Sequence, residues 1–459
     1  MLYESSRLIP REGGPFDIGR SAAIVLLLLL LTAGFLIRLV AAKHTETGSL
    51  TGWTEHGVVG RNVAEGRGFT YDFYGERANA PLQSFVPPLF PGLVVLCLML
   101  FPDPRHGFAL IQIGFTVTNI ILLFGIGYSL SERHLVGLFA AAAGAFYPVY
   151  VALVTTPNTT LLHSTLILLL TVNMIRLQRQ PSLVRALVLG GTIGLAALAK
   201  PFLVALLLPA GVALYLEGFP WRRVAGLSLL AGAATVLVLL PWTVRNYRIH
   251  GELFLVSTNG GITFWNGNNS FSTGSGQEVY TEAAYRYLGQ TPPPNAPPIM
   301  RMRLYPLPPE VQAHLSELSE VELDRRLFRA SLDFARENPR AWFALLKQKA
   351  IGFVWFRPNI GSAYDKTTWT EVYRWVYGAL LLLAIPGMMV ALKRWRLFFP
   401  LYSVLLLQIA VHVLSNIQTR YRWEVESLLF IFAAVALVTA LNLVTAKKRV
   451  KVATLYPLA

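Results

Sequence analysis

The sequence predicts an all-α polytopic membrane protein with about ten transmembrane helices, from its composition and from the recurrence of long apolar segments. The chain has 459 residues, of which 54% are hydrophobic and only 14% are charged, too apolar for a soluble globular protein. A helix needs about 20 mostly apolar residues to cross roughly 30 Å of hydrocarbon. Such segments lie at 21–42, 108–130, 135–155, 160–177, 183–199, 202–217, 223–242, 372–392, 397–415 and 424–446.

The first apolar segment, 21–42, is longer than the roughly 7 to 15 apolar residues of a signal-peptide core, so we expect it to be retained as a membrane span. Arg38 lies near its outer end. A long basic side chain at that position is expected to extend to the lipid headgroups rather than bury its charge. The one cysteine, Cys97, can form no intramolecular disulfide, so cysteine usage says nothing about the redox compartment.

The basic residues predict the orientation of the chain. The net charge is +15, but the Lys and Arg residues form short groups between apolar segments rather than one patch interleaved with aromatics, which argues against nucleic-acid binding. If the short apolar segment 88–101 does not cross the membrane, these basic groups lie on the same side of the membrane as the amino terminus. That side is then the cytoplasm, as the positive-inside rule requires. We therefore expect a multi-pass protein of the bacterial inner (plasma) membrane with both termini cytoplasmic, and 88–101 at the outer interface.

This topology divides the chain into three parts. Residues 1–242 form a transmembrane core with a juxtamembrane first outer loop at 43–107, and residues 372–459 form the last helices and a basic cytoplasmic tail. Between spans seven and eight, residues 243–371 are long enough for a small extracytoplasmic domain. In that domain, the capping box Ser319–Glu322 predicts a helix over about 320–337 that ends at Asn338-Pro339.

Motifs of nucleotide-dependent and zinc enzymes are missing from the sequence, including the phosphate-binding loop, H-E-x-x-H and the dinucleotide fingerprint. A membrane protein with outward carboxylates and cations but no nucleotide site is expected to use a substrate that was activated elsewhere. A sugar linked to a lipid phosphate fits, because its phosphate is already the leaving group. No cofactor is indicated, and the sequence leaves open whether a divalent metal takes part.

Glu55 is the candidate catalytic residue. It follows the first span closely, in a segment whose small and apolar residues predict an interfacial helix. A carboxylate placed there could take the proton of an acceptor hydroxyl; alternatively it is a solvated loop residue. Beside it, His56 could orient Glu55, bind metal or be polar surface, and Asp72 is a weaker candidate in the same loop.

The candidate contacts for a carrier phosphate are cations near the predicted outer membrane surface, since fixed positive charge stabilises a departing phosphate. They are Lys200, Arg245, Arg420 and Arg422. Anchoring at the membrane interface is the alternative role for each. The Gly- and Asn-rich segment 259–274 is either a loop that binds a sugar or phosphate or a compact structural turn. Its candidate side chains are Asn259, Asn266, Asn268 and Asn269.

Several segments, in this order, resemble the C-type integral membrane glycosyltransferases, specifically bacterial relatives of protein O-mannosyltransferases and lipid A aminoarabinose transferases. They are AEGRGF, VPPLFP, GLAALAKPFLVALLLP, PWTVRNYRIHGELFLVSTNGG and RYRWEVESLLFIFAAVAL. The resemblance implies that Glu55 is the catalytic carboxylate and that Lys200, Arg245 and Arg420 contact the carrier phosphate. The better known relatives also carry an Asp-Glu pair, which is missing here near Gly52 and Trp53.

The sequence therefore favours an inverting glycosyltransferase that moves a sugar from a polyprenyl-phosphate carrier to a hydroxyl of a protein, lipid or glycan acceptor at the outer face. Two alternatives stay open. One is a transporter or flippase for a lipid-linked substrate, although transporters place ionisable groups near the midplane and the apolar segments here hold few of them. The other is a non-catalytic member of the same fold.

Overall fold

The computed structural model describes residues 18–44, 54–74, 80–272, 274, 307–355 and 368–455. Gly52, Trp53 and the proline-rich residues 291–306 lie outside this part of the chain. Within it, the regular structure is helical apart from one isolated antiparallel bridge between Tyr71 and Leu82. Seven helices are long and apolar enough to cross a membrane. The all-α class is thereby confirmed, and the chain is a multi-pass membrane protein.

The helices of the described residues follow in chain order, with 3-10 turns at Leu153–Thr155 and Pro201–Leu206. They are α1 (Arg20–His44), α2 (Glu55–Ala64), α3 (Leu89–Leu100), α4 (Pro104–Ser131), α5 (His134–Phe146), α6 (Pro148–Ala152), α7 (Thr160–Arg179), α8 (Leu183–Ala197), α9 (Leu207–Leu216), α10 (Trp221–His250), α11 (Gly260–Gly267), α12 (Pro309–Ala313), α13 (Glu320–Glu337), α14 (Pro339–Val354), α15 (Thr368–Leu392), α16 (Trp395–Leu414) and α17 (Thr419–Leu455).

Three of the ten expected spans are shorter or broken. The segment expected at 135–155 is a pair of helices bent by 48°. The bend falls at Tyr147, whose backbone is extended. Pro148 explains this, because a proline disfavours helical backbone angles at the residue before it. The segments expected at 183–199 and 202–217 correspond to the short helix α8 and to a 3-10 turn followed by α9. The total of ten crossings therefore stays a prediction.

Helix α17 lies at the centre of the bundle, where it packs against α5, α7 and α15. Its side chains are buried on more than one face, including Leu428, Phe430 and Phe432. A helix that is buried on more than one face packs against other parts of the protein. The polar residues at its start, 419–427, are therefore held among protein groups.

Arg38 corrects one expectation. Its side chain is completely buried rather than extended to the headgroups. The guanidinium donates to the carbonyl oxygens of Gly34 at 2.9 Å, Ala145 at 2.8 Å and Gly144 at 3.0 Å. Small residues on α1 and α5 leave room for the guanidinium, and the backbone carbonyls offset the cost of burying its charge.

The two long loops, 45–103 and 251–367, are joined by a shared apolar core. Tyr74 and Leu82 from the first loop pack in one cluster with Trp265 and Leu327 from the second. Glu320 connects them further, since its carboxylate accepts the backbone N–H groups of Gln83 at 2.6 Å and Ser84 at 2.9 Å. The two loops thus lie on one side of the bundle.

The helix expected at about 320–337 is confirmed as α13, Glu320–Glu337. The hydroxyl of Ser319 accepts the N–H of Glu322 at 3.2 Å, which is half of the predicted capping box. Asn338 ends the helix, and α14 begins at Pro339. The local sequence therefore determined both ends of this helix.

Candidate functional site

Glu55 begins helix α2, at the junction of the first long loop with the bundle. The hydroxyl of Thr54 caps this helix by accepting the N–H of Gly57 at 3.1 Å. Helix α2 packs closely on α3, where a Cβ on Gly60 would lie only 2.7 Å from the side chain of Val94. The helix predicted around Glu55 is present, and its location at the membrane interface stays a prediction. Its glycine sets how near α2 approaches α3.

The Glu55 carboxylate is 35% exposed and lies within electrostatic range of Arg420, a residue of the distant helix α17. Burial raises the pKa of Glu55, but His56, Arg420 and a backbone hydrogen bond outweigh it, so the pKa lies below its ordinary value of 4.5. Burial lowers the pKa of His56 to about 4. At neutral pH, Glu55 is therefore ionised and His56 is neutral.

Lys200 lies after α8, where the chain turns into a 3-10 helix. A hydrogen bond of 3.1 Å from the N–H of Leu89 to the carbonyl of Leu198 joins this turn to the start of α3. The Lys200 side chain is buried and pairs with the Glu424 carboxylate. Its ammonium also lies 5.2 Å from the centre of the Tyr421 ring, within the range of a cation–π interaction.

Glu424 is a site residue that the sequence analysis missed. It is 1% exposed, and its second carboxylate oxygen lies 2.9 Å from Nδ1 of His163 on α7. The signal was available, because Glu424 and Glu426 are acidic residues inside an apolar segment, where ionisable groups mark function. The expectation that the apolar segments hold few ionisable groups overlooked these two.

Two further polar side chains at this place have buried atoms without a hydrogen-bond partner among the described residues. They are Nε2 of His412 and Nε of Arg420. The His412 ring stacks on Tyr421, with centres 4.2 Å apart and an angle of 11°. Electrostatic interactions link both residues to Lys200 and Glu424. We call the set the ionic site: Glu55, His56, His163, Lys200, His412, Arg420 and Glu424.

Arg422 belongs to a different network, which is fully paired. Its guanidinium lies 3.3 Å from the Glu426 carboxylate and donates to the Tyr373 hydroxyl at 2.9 and 3.0 Å. Tyr373 donates to one Glu426 oxygen at 2.5 Å and Tyr147 to the other at 2.7 Å. These contacts join the bend between α5 and α6 to α15 and α17. They give Arg422 a structural role that its proximity to Arg420 in sequence did not reveal.

Arg245 is held by the first long loop. It donates to the Ser84 hydroxyl at 2.8 Å, and its guanidinium lies 4.6 Å from the Trp242 ring and 5.3 Å from the Phe69 ring. None of its described contacts is with a residue of the ionic site. Electrostatic interactions thus link Glu55 and Lys200 to Arg420, whereas Arg245 lies in a separate polar cluster.

The segment 259–274 makes its hydrogen bonds within the protein. The Asn268 amide donates to the Leu414 carbonyl at 2.9 Å, and its oxygen accepts from Trp342 at 2.9 Å and from Lys349 at 3.0 Å. The Lys349 ammonium is fully buried and also donates to the carbonyls of Gly267 and Ser415. This arrangement favours the alternative of a compact structural turn.

The other candidates from the sequence lie apart from the ionic site. Asn269 donates to the Trp265 carbonyl at 2.7 Å, Asn259 accepts from the Ser257 hydroxyl at 3.0 Å, and Asp72 is exposed. The backbone carbonyl of Asn266 accepts from Ser272 at 3.0 Å. An open pocket of about 540 Å³ lies between residues 269–272 and α14, and its lining residues do not include those of the ionic site.

Metal binding was left open by the sequence. Within the described ranges, three or more His, Cys, Asp or Glu side chains nowhere come together in a way that could hold a metal ion. His56 and Glu55 approach each other only to 4.0 Å.

No family model matches the chain, and a sequence search finds no match among curated proteins. Solved structures do match. The archaeal oligosaccharyltransferase AglB from Archaeoglobus fulgidus, in complex with an inhibitory peptide and a dolichol-phosphate, has a TM-score of 0.51 and 14% identity, over 93% of this chain and 52% of that chain. The Archaeoglobus fulgidus oligosaccharyltransferase in complex with Zn and sulfate has a TM-score of 0.52 and 13% identity, over 94% and 50%.

A third match, ArnT from Cupriavidus metallidurans bound to undecaprenyl phosphate, has a TM-score of 0.41 and 16% identity, over 90% of this chain and 78% of that chain. A TM-score this low is too weak a likeness to support a shared fold. The chain spans about half the length of the archaeal oligosaccharyltransferases. Over that length this chain has the same fold as the archaeal oligosaccharyltransferases.

Proposed function

We propose that this protein is an inverting glycosyltransferase of the bacterial inner membrane, which moves a sugar from a polyprenyl-phosphate carrier to an acceptor hydroxyl at the outer face. The observation that carries the proposal is the electrostatic interaction of Glu55 with Arg420. An ionised carboxylate from the first long loop lies within electrostatic range of a cation from the last helix, and that cation has a buried nitrogen without a partner among the described residues. In this proposal, Glu55 is the base and Arg420 is the phosphate contact.

In the proposed reaction, the Glu55 carboxylate takes the proton of the acceptor hydroxyl as the hydroxyl oxygen attacks the anomeric carbon. The bond from that carbon to the carrier phosphate oxygen breaks, and the oxygen keeps the electron pair. The carrier leaves as a polyprenyl phosphate with one more negative charge. The attack comes from the face opposite the phosphate, so the configuration at the anomeric carbon inverts.

Fixed positive charge lowers the energy of this step, because negative charge grows on the phosphate as the bond breaks. Arg420 is the first candidate for this role, since its guanidinium has a donor to spare. Lys200 is the second, although the structure pairs it with Glu424. Arg245 and Arg422 are engaged in other contacts, and we expect them to support the site rather than bind the phosphate.

The acceptor class is left open by this arrangement. A protein, lipid or glycan hydroxyl could reach Glu55, because its side chain is 35% exposed. Arg420 lies at the start of α17 and Lys200 at the turn after α8. A lipid phosphate at the membrane surface would meet both of them.

The test is the change Glu55→Gln, which keeps the size of the side chain and removes its basicity. A strain without this protein is complemented with the wild type or with Glu55→Gln, and its glycans and lipids are compared by mass spectrometry. We expect the product lost on deletion to return with the wild type only. General-base catalysis contributes roughly 10²- to 10⁴-fold, so little product should form.

The matched control is Glu65→Gln, at the other end of α2, where the carboxylate is exposed and pairs with Arg67. It should restore the product fully. Purified Glu55→Gln protein should still bind undecaprenyl phosphate as the wild type does. Full complementation by Glu55→Gln would remove Glu55 from the mechanism.

A further inference from the structure

Glu424 occupies a place suited to an anion. Its two carboxylate oxygens accept from Lys200 and from His163, and Arg420 lies within electrostatic range. The side chain is 1% exposed, so water does not share these contacts. The donors that converge on Glu424 are of the kind that would otherwise hold a phosphate.

The charges of the ionic site balance without a ligand. Lys200 and Arg420 are positive, whereas Glu55 and Glu424 are negative, and we take the buried histidines as neutral. A polyprenyl-phosphate sugar is a phosphodiester with one negative charge. A polyprenyl phosphate carries between one and two at neutral pH, because its second pKa is about 6, and a diphosphate-linked carrier has more. Each additional negative charge on the carrier is repelled by the Glu424 carboxylate. Because Glu424 is buried, solvent ions screen this repulsion only weakly.

Resting on the proposed function, we propose that Glu424 competes with the carrier phosphate for Lys200 and thereby selects carriers of low negative charge. In the free protein the Lys200 ammonium pairs with Glu424. When the carrier binds, the ammonium moves to the phosphate and stays against the Tyr421 ring, while His163 continues to hold Glu424. The site therefore accepts a monophosphate carrier and disfavours a diphosphate carrier.

The same competition acts on the product. After transfer, the carrier phosphate has gained negative charge while Glu424 is still ionised nearby. Return of Lys200 to Glu424 then offsets the loss of the phosphate contact. Glu424 thus aids release of the spent carrier without touching the reacting atoms, and it acts as a positioning residue.

The experiment measures binding rather than turnover. Purified wild-type protein and Glu424→Gln are titrated in detergent with undecaprenyl phosphate and with undecaprenyl diphosphate, and Kd is determined by native mass spectrometry. We expect Glu424→Gln to bind the monophosphate about tenfold tighter and the diphosphate about 100-fold tighter, since each removed repulsion of about 1.4 kcal/mol is tenfold in Kd. Weaker or unchanged binding by folded Glu424→Gln would overturn the proposal.

Glu426→Gln is the matched control, because it neutralises a buried carboxylate two residues away that pairs with Arg422 instead of Lys200. It should leave the ratio of the two Kd values unchanged. The wild type provides a second measurement that needs no variant: it should prefer the monophosphate, and a preference for the diphosphate would also overturn the proposal. If the wild type binds neither lipid, the proposed function itself fails.

Discussion

Two glutamates at the start of α17 stand two residues apart and differ in what surrounds them. Glu426 and Arg422 are completed by two tyrosine hydroxyls from neighbouring segments. Glu424 and Lys200 interact electrostatically with Arg420, whose Nε has no partner among the described residues. Arg420 also interacts electrostatically with Glu55, which is partly exposed. Burial and pairing are common to both networks, so neither feature alone distinguishes a structural ion pair from a functional one.

The two networks differ in whether they contain buried polar atoms without a described hydrogen-bond partner. The Glu426 network uses its carboxylate oxygens within the protein and ties α15 and α17 to the bend between α5 and α6. The ionic site keeps donor atoms unpaired although burying them has a cost, which makes sense if a ligand completes them. Substitutions in the two networks should therefore affect different quantities.

The largest effect is expected from Arg422→Met. Removing one partner of a buried ion pair typically costs 3–5 kcal/mol, because the other charge is left uncompensated. Thermal unfolding in detergent should show a marked loss of stability. The double change Arg422→Met with Glu426→Met should recover most of that loss. A single variant as stable as the wild type would contradict the structural role of this pair.

Arg420→Met comes next, and it should affect carrier binding more than stability. A hydrogen bond to a charged group contributes about 1.5–3 kcal/mol, so the Kd for undecaprenyl phosphate should rise roughly 10- to 150-fold. The unfolding temperature should fall less than with Arg422→Met, because Arg420 interacts with Glu55 and Glu424 through electrostatics, whereas Arg422 pairs directly with Glu426. Unchanged carrier binding would place the phosphate elsewhere.

Arg245→Glu should have a smaller effect. Reversal of this charge is expected to weaken carrier binding more than it alters acceptor preference, by about threefold if the charge acts from outside the ionic site. The control is Arg245→Met, which also loses the hydrogen bond to Ser84 but adds no negative charge. A loss as large as that of Arg420→Met would return Arg245 to the carrier site.

The smallest effect is expected from pH. Because the pKa of Glu55 is lowered below 4.5, its carboxylate is ionised above that value and becomes protonated only as the pH falls through its lowered pKa. His56, with a pKa of about 4, is neutral over the same range. The turnover rate should therefore not change with Glu55 or His56 between about pH 6 and 8. A steep rise with pH in this window would show that another group is the base.

Much of the fold followed from local patterns. The apolar segments predicted the membrane helices, because only about 20 apolar residues in a helix satisfy the bilayer. Ser319 and Asn338-Pro339 predicted the ends of α13, because caps and prolines act within one helical turn. The helix that begins at Glu55 was also predicted. Each of these predictions depended on residues near one another in sequence.

The failures concern partners that are distant in the sequence. Arg38 was expected at the headgroups because its sequence neighbours do not reveal Gly144 and Ala145, which accept its hydrogen bonds. Arg422 and Arg420 are two residues apart and looked equivalent, but side chains at that spacing point to different sides of a helix. Glu424 is a different case, because it could have been identified as a candidate from the sequence alone: it is a carboxylate within an apolar segment.

The buried ammonium of Lys349 has a mechanical consequence. Lys349 belongs to α14, yet it donates to the last carbonyls of α16 at Leu414 and Ser415. Only four residues separate Ser415 from Arg420. A rigid shift of α14 would break these bonds unless the carboxyl end of α16 moved with it. Motion of α14 in the second long loop is therefore coupled to the start of α17, which carries Arg420.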